Sequence, residues 1–259
     1  MTGGGPPMLG RLVTSIEANR RLWNKISVEY QREHDPRIGA APRLWGCYSI
    51  PDEQLGALGD VTGQRVLELG CGAGQWSRSL AEDAEHVVGF DLSEAQLAAA
   101  RGAMGSVRYG LVQGAAEQLP FAADSFDLVF CDEGALLWAP PDVAVPEAAR
   151  VLRRGGRLVF TVMSPWATVC YDDEAEAVTT RLNHDYFTLG PLDEGDGATA
   201  YYLTYGDWVR TLRRAGLIID DLIEPRPGPD QRNGYGAMEP PDWAYRWPIE
   251  MLWVTHKAG

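Results

Sequence analysis

The sequence predicts an α/β domain built on a doubly wound, mostly parallel sheet. Three observations carry this. Short apolar runs alternate with helix-length segments of roughly ten residues. A glycine-rich turn, Gly70-Cys71-Gly72-Ala73-Gly74, separates the first run from the helix after it. An acid, Asp91, ends the second run at about the 20-residue spacing that suits a ribose-binding carboxylate.

The elements follow in order. Residues 12–30 read as a helix, with Ile16, Trp23, Ile26 and Tyr30 near helical spacing, and a Pro/Gly-punctuated linker follows over 35–46. Residues 65–69 form the first strand and 75–83 the helix beyond the glycine turn. Residues 86–90 form the second strand. Ser93 and Gln96 make a capping box for a helix to Met104, stopped by Gly105. Strands are expected at 107–113 and 126–131, then a helix at 143–154 closed by Gly155-Gly156, then a strand at 157–162. The rhythm lapses over 164–205, which is rich in aromatics and acids and reads as an inserted cap. It returns with a helix from Asp207 to Arg214, a strand at 217–223, a Pro/Gly-rich loop and a last strand at 249–255. The strands number seven.

Composition narrows the function. With 259 residues, 45% hydrophobic and 23% charged, the chain has ordinary globular composition. Its net charge of -13 sets a field that opposes nucleic-acid phosphates. No apolar run approaches the roughly 20 residues that span a bilayer, and the start lacks the basic flank and apolar stretch of a signal peptide. Cys47, Cys71, Cys131 and Cys170 fit no zinc-ligand spacing, so reduced thiols and a cytoplasmic location are expected, with no nucleic-acid or membrane partner.

The glycine turn allows a ligand close to the backbone, and Asp91 can accept both ribose hydroxyls. This much suits any adenosine ligand. A dinucleotide site has the spacing GxGxxG, whereas this turn is GxGxG with Gln75 where the last glycine would fall. Glu68, just before the turn, would repel a pyrophosphate and favour an ammonium or sulfonium; the alternative is a buried glutamate that caps the loop. A nucleotide-dependent oxidoreductase is thereby disfavoured.

The stretch Val66-Leu67-Glu68-Leu69-Gly70-Cys71-Gly72-Ala73-Gly74 resembles the first motif of the class I, Rossmann-like S-adenosylmethionine-dependent methyltransferases. Phe90-Asp91-Leu92-Ser93 resembles their second motif. Residues 114–121 with 124–129, and Ala149-Arg150-Val151-Leu152-Arg153-Arg154-Gly155-Gly156, resemble the later ones. The likeness is close over about residues 60–165. It implies S-adenosyl-L-methionine as cofactor. Gly70, Cys71, Gly72 and Gly74 would line its methionine portion, with Asp91 at the ribose, Leu92, Ala116 and Glu117 at adenine, and Glu68 and Cys131 near the sulfonium. Many relatives carry Asp at the position of Ala115, so Glu117 or a backbone carbonyl would meet the adenine amine here.

By the same resemblance, residues 1–46 are a tail and helical lid, with Tyr30 reaching the cofactor and Trp23 and Trp45 as walls. Residues 47–259 are the cofactor-binding domain, carrying the cap at about 164–205. Asp132 follows the fourth strand, where relatives place substrate contacts. Trp138, Trp166, Tyr171 and Tyr186 suit a flat or apolar organic molecule. His34 and His184 are the candidate bases. No metal is expected. Transfer to an oxygen or nitrogen of a small molecule, such as a secondary metabolite, is the implied activity. A cofactor-binding protein without transfer activity is the alternative.

In calorimetry S-adenosylmethionine should bind and NAD should not, and Asp91→Ala should lose a charge-assisted bond on the order of 1.5–3 kcal/mol. NAD binding tightly in its place would overturn the assignment.

Overall fold

The computed structural model describes the backbone of residues 8–38, 43–234, 239–240 and 242–259, and the side chains of all of these but 8–14 and 33–38. Seven strands form the central sheet: β1 (Arg65–Leu69), β2 (His86–Asp91), β3 (Gly110–Gln113), β4 (Phe126–Asp132), β5 (Leu152–Met163), β6 (Leu217–Ile223) and β7 (Glu250–Lys257). Their order is β6-β7-β5-β4-β1-β2-β3. Strands β3, β2, β1, β4 and β5 run parallel, and β7 pairs antiparallel to both β5 and β6. The helices of six residues or more are α1 (Met8–Ile38), α2 (Gln75–Leu80), α3 (Glu94–Ala103), α4 (Pro141–Val151), α5 (Pro165–Cys170) and α6 (Tyr205–Arg214).

The alternation within each strand explains the double winding, because successive side chains leave a strand on opposite faces. Leu67, Leu69, Val129, Cys131, Leu158, Phe160, Met251 and Trp253 meet α4 and α6 on one face. Val66, Leu128, Phe130, Val159 and Leu252 meet Trp45, Leu58, Trp76 and Leu80 on the other. Both layers are buried, so the strands read as nearly continuous apolar runs.

Several boundaries differ from the sequence expectation: α1 runs from Met8 to Ile38 rather than over 12–30, into the expected linker, and β5 already begins at Leu152 rather than 157. Helix α2 ends at Leu80 rather than 83, and β3 begins at Gly110 rather than 107. Helix α4 stops at Val151, and Gly155-Gly156 lie inside β5 rather than closing the helix. The reason is pairing. Leu152 already faces Phe126 across the sheet, and the register then jumps to Arg157 opposite Leu128. The glycines, with Gly155 at φ +71, supply that irregularity. Only half of the expected capping box forms. Ser93 Oγ accepts the Gln96 N–H at 3.1 Å, but the Ser93 N–H goes to Asp91 and the Gln96 side chain to Gln31.

Residues 164–205 hold α5, a hairpin pairing Tyr171–Asp172 with Ala177–Val178, a single 3-10 turn at Tyr186–Thr188, and a second hairpin pairing Pro191–Asp193 with Thr199–Tyr201. Ala167, Val169, Cys170 and Val178 seat the first half of this cap on Tyr48, Ile50, Trp243 and Ile249.

The turns after β1 and β4 touch backbone to backbone. A Cβ on Gly134 would lie 2.7 Å from the Leu69 carbonyl oxygen, and one on Gly70 2.5 Å from the Ala135 nitrogen. Gly134→Ala should therefore cost more than about 2 kcal/mol in denaturant unfolding. Gly102→Ala, on α3 with open space around it, should gain roughly 0.5–1 kcal/mol. Equal effects at the two sites would refute the close approach.

Candidate active site

A cleft opens at the carboxyl ends of β1, β2 and β4, where the strand order reverses direction, the usual ligand position in an open α/β sheet. Gly70 and Gly72 form one wall, Asp91, Leu92 and Gln96 a second, and Gly114, Ala116 and Glu117 a third. Asp132, Glu133 and Gly134 close the end, and Ile16, Asn19, Trp23 and Tyr30 of α1 roof it with Trp138.

Asp91 organises the floor. Its Oδ2 accepts the Gly72 N–H at 2.9 Å and its Oδ1 the Ser93 N–H at 2.8 Å. A carboxylate has about four lone-pair positions, so each oxygen keeps one for a ligand diol. Glycines 70, 72 and 74 all have positive φ, which brings the turn's backbone under the cleft without side chains in the way. Burial pushes the Asp91 and Glu117 carboxyls above their ordinary range. The described lining holds four carboxyls and no Lys, Arg or His. That donor set suits an adenosine bearing a cationic sulfonium and disfavours a pyrophosphate. These residues therefore fit S-adenosylmethionine.

Helix α1 is docked by amides. Asn19 donates to the carbonyls of Trp138 (2.7 Å) and Thr199 (3.0 Å) and accepts the Thr199 N–H at 2.7 Å. Asn24 accepts from Ser93 Oγ at 2.7 Å, and Gln31 bridges Gln96 (2.7 Å) and Gln75 (2.9 Å). Trp23 stands edge-on to both Tyr30 and Trp138, with ring centroids 5.1 and 5.3 Å apart. The space directly beneath the roof is about 90 Å³.

At the far end the acids converge. Asp132 Oδ1 accepts from Thr161 Oγ1 at 2.5 Å and from the Gly46 N–H at 3.0 Å, and burial pushes its carboxyl up to about 7. Glu133 sits in the left-handed region at φ +46, a strained conformation for a residue with a side chain. Its carboxyl meets that of Glu250, which also accepts the Cys47 N–H at 2.5 Å. Burial, then the Glu250 charge, push Glu133 well above the carboxylate range. Two carboxyls in contact hold a proton between them. Glu133 Oε1 is buried and receives no donor.

The cleft gathers Tyr30, Gly70, Gly72, Asp91, Leu92, Ala116, Glu117, Asp132 and Trp138. Other expected residues lie elsewhere. Glu68 is buried behind the turn, accepting the Ser77 N–H at 2.9 Å and the Ser77 hydroxyl, so it clamps α2 to β1 and does not face the cleft. The Cys131 thiol accepts from the Leu136 N–H inside the core, and Cys71 packs where a Gly89 side chain would be, so neither side chain reaches the opening. Gly74 caps α2 with Tyr109 against it. Trp45 is a core residue packed against Trp76, with the two rings tilted. Tyr171 and His184 line a separate cavity under the cap, while Trp166 is exposed and Tyr186 packs against Phe187. The side chain of His34 lies outside the described residues. The sequence reading did not find Asn19, Asn24 or Gln31, because apolar spacing is silent about amide docking. It also missed Glu250, which only the antiparallel return of β7 brings to Glu133. Among the described residues no cluster has metal-ligand geometry, and no helix is long and apolar enough to cross a membrane.

A family profile described as a methyltransferase domain matches residues 67–160. The chain is 34% identical over 148 residues to a demethylmenaquinone methyltransferase of Beutenbergia cavernae, covering 56% of this chain and 59% of that protein, so it spans under two thirds of that relative. It is 33% identical over 196 residues to a ubiquinone/menaquinone biosynthesis C-methyltransferase of Vibrio vulnificus, covering 71% and 70%. The crystal structure of an S-adenosylmethionine dependent methyltransferase from Mesorhizobium loti superposes with a TM-score of 0.66 over 79% of this chain and 96% of that one. Its 24% identity speaks to the fold alone.

The buried acids make a pH prediction. Burial lifts Glu68 to about 8 and Asp132 to about 7, so the folded chain holds protons that the unfolded chain releases. Their stabilising share is complete below the ordinary carboxylate range and is lost as pH rises through about 7 and 8. The Tm of the ligand-free chain should fall between about pH 6 and about pH 9. Glu68→Gln, which keeps an acceptor for Ser77, should flatten the upper part of that fall. A Tm that rises over this range would contradict the assignment.

Proposed function

The chain belongs to the Rossmann-like S-adenosylmethionine-dependent methyltransferases, and on that premise we propose that it methylates a small organic molecule at a proton-bearing oxygen or nitrogen. When bound, the cofactor supplies an electrophilic methyl group. Asp91 holds the ribose end through its two remaining lone-pair positions, and Leu92, Ala116 and Glu117 enclose the base. Trp23, Tyr30 and Trp138 keep water out from above. In a dry, aligned site much of the rate comes from proximity.

The observation that carries the acceptor's placement is Glu133 Oε1, buried at the end of the cleft without a donor. An acceptor O–H or N–H supplies one. As the new bond to carbon forms, that proton passes to Glu133. The pair shares one proton, so one of its two carboxyls stays ionised and can receive the acceptor's proton. Glu133 thus takes the role first considered for His34 and His184.

A carbon acceptor is the second reading, favoured by the Vibrio vulnificus relative, whose name specifies C-methylation. A labelled methyl group separates the two, because its carbon shift distinguishes attachment to oxygen, nitrogen and carbon.

The test is release of S-adenosylhomocysteine on incubation with a panel of phenols, amines and hydroxyquinones. Turnover with at least one is expected, and Glu133→Gln should lower kcat on the order of a hundredfold while cofactor affinity changes little. Tight cofactor binding with no release for any acceptor would favour a binding protein without transfer activity. Undiminished turnover in Glu133→Gln would remove the base.

A further inference from the structure

The cap borders a second, open cavity of about 520 Å³, outside the cofactor cleft. Its inner wall is apolar and tyrosyl, with Met163, Val178, Tyr171 and Tyr202. Its mouth is set by the two cap hairpins, which place Asp173, Glu176, Asp193 and Glu194 around one opening, all four exposed. The described lining contains no Lys or Arg. Its one histidine, His184, stands 3.7 Å from Asp173.

The cavity adjoins the reacting end of the cleft. Met163 faces Glu250 across the β5–β7 pairing, and Glu250 meets Glu133. Tyr202 donates its hydroxyl to Glu194 at 3.1 Å on the mouth side.

We propose that this cavity holds the methyl acceptor, and that the acceptor is an organic cation: an apolar or aromatic body carrying a protonated amine remote from the reacting atom. The acceptor role rests on the methyltransferase reading; the binding chemistry does not. Four carboxylates around one opening repel each other, and a ligand cation relieves that repulsion. Tyr171 and Tyr202 offer π faces to the cation and flat surface to its body. An anionic acceptor meets an unfavourable field throughout. A neutral one gains nothing from the mouth.

The test uses calorimetry on the full chain, with and without saturating S-adenosylhomocysteine, and three matched probes: phenethylamine, 2-phenylethanol and phenylacetate. The amine should bind on the order of tenfold more tightly than the alcohol and weaken as salt rises, and phenylacetate should not bind. In the folded triple variant Asp173→Asn, Glu176→Gln, Glu194→Gln, the amine should bind no better than the alcohol. Equal binding of all three probes, tighter binding of phenylacetate, or an amine preference that survives the triple variant would overturn the proposal. Failure of S-adenosylhomocysteine to bind while the amine binds would bring down the methyltransferase reading, and the acceptor role with it.

Discussion

The site depends on one steric constraint, the backbone contact between the turns that follow β1 and β4. Gly70 and Gly134 approach so closely that neither tolerates a Cβ. This contact falls where the strand order reverses, between β1 and β4. It fixes the glycine turn against the segment bearing Asp132 and Glu133. The ribose-binding carboxylate on β2 and the acids after β4 therefore face one opening. Glu68 supports the arrangement from behind, clamping α2 to β1 through Ser77.

The second organising feature is how α1 is held. Among its described side chains, Asn19, Asn24 and Gln31 hydrogen-bond it to the domain. Each such bond contributes only about 0.5–1.5 kcal/mol net, because water offers the amides similar partners once the helix lifts. A roof held this way can open for a nucleoside-sized ligand and close again without exposing much apolar surface. The Trp23–Trp138 contact closes the roof over the cleft.

Most of the sheet was legible because both of its faces are buried, which leaves apolar runs of strand length between glycine and proline signals. The seven strands, the glycine turn and Asp91 could be placed from those signals. The reading failed where tertiary pairing overrode local punctuation, as when Gly155-Gly156 became a bulge within β5. It also failed where position along a strand decides which way a side chain points. Glu68 and Cys131 are next to the site in sequence, yet strand alternation turns them into the layers beneath. The cap hairpins, only two or three residues per strand, carry too little periodicity to be seen. Pairs such as Glu133 with Glu250 are joined only by the topology of β7.

The central claim is that one cleft, roofed by α1 and floored by the glycine turn, is the cofactor site. A crystal structure with S-adenosylhomocysteine tests it most directly. The account predicts the ribose hydroxyls on Asp91, the amino-acid portion against Gly70 and Gly72, and contacts from Trp23 or Tyr30 above. Density for the ligand elsewhere, or in this cleft with α1 making no contact, would contradict it.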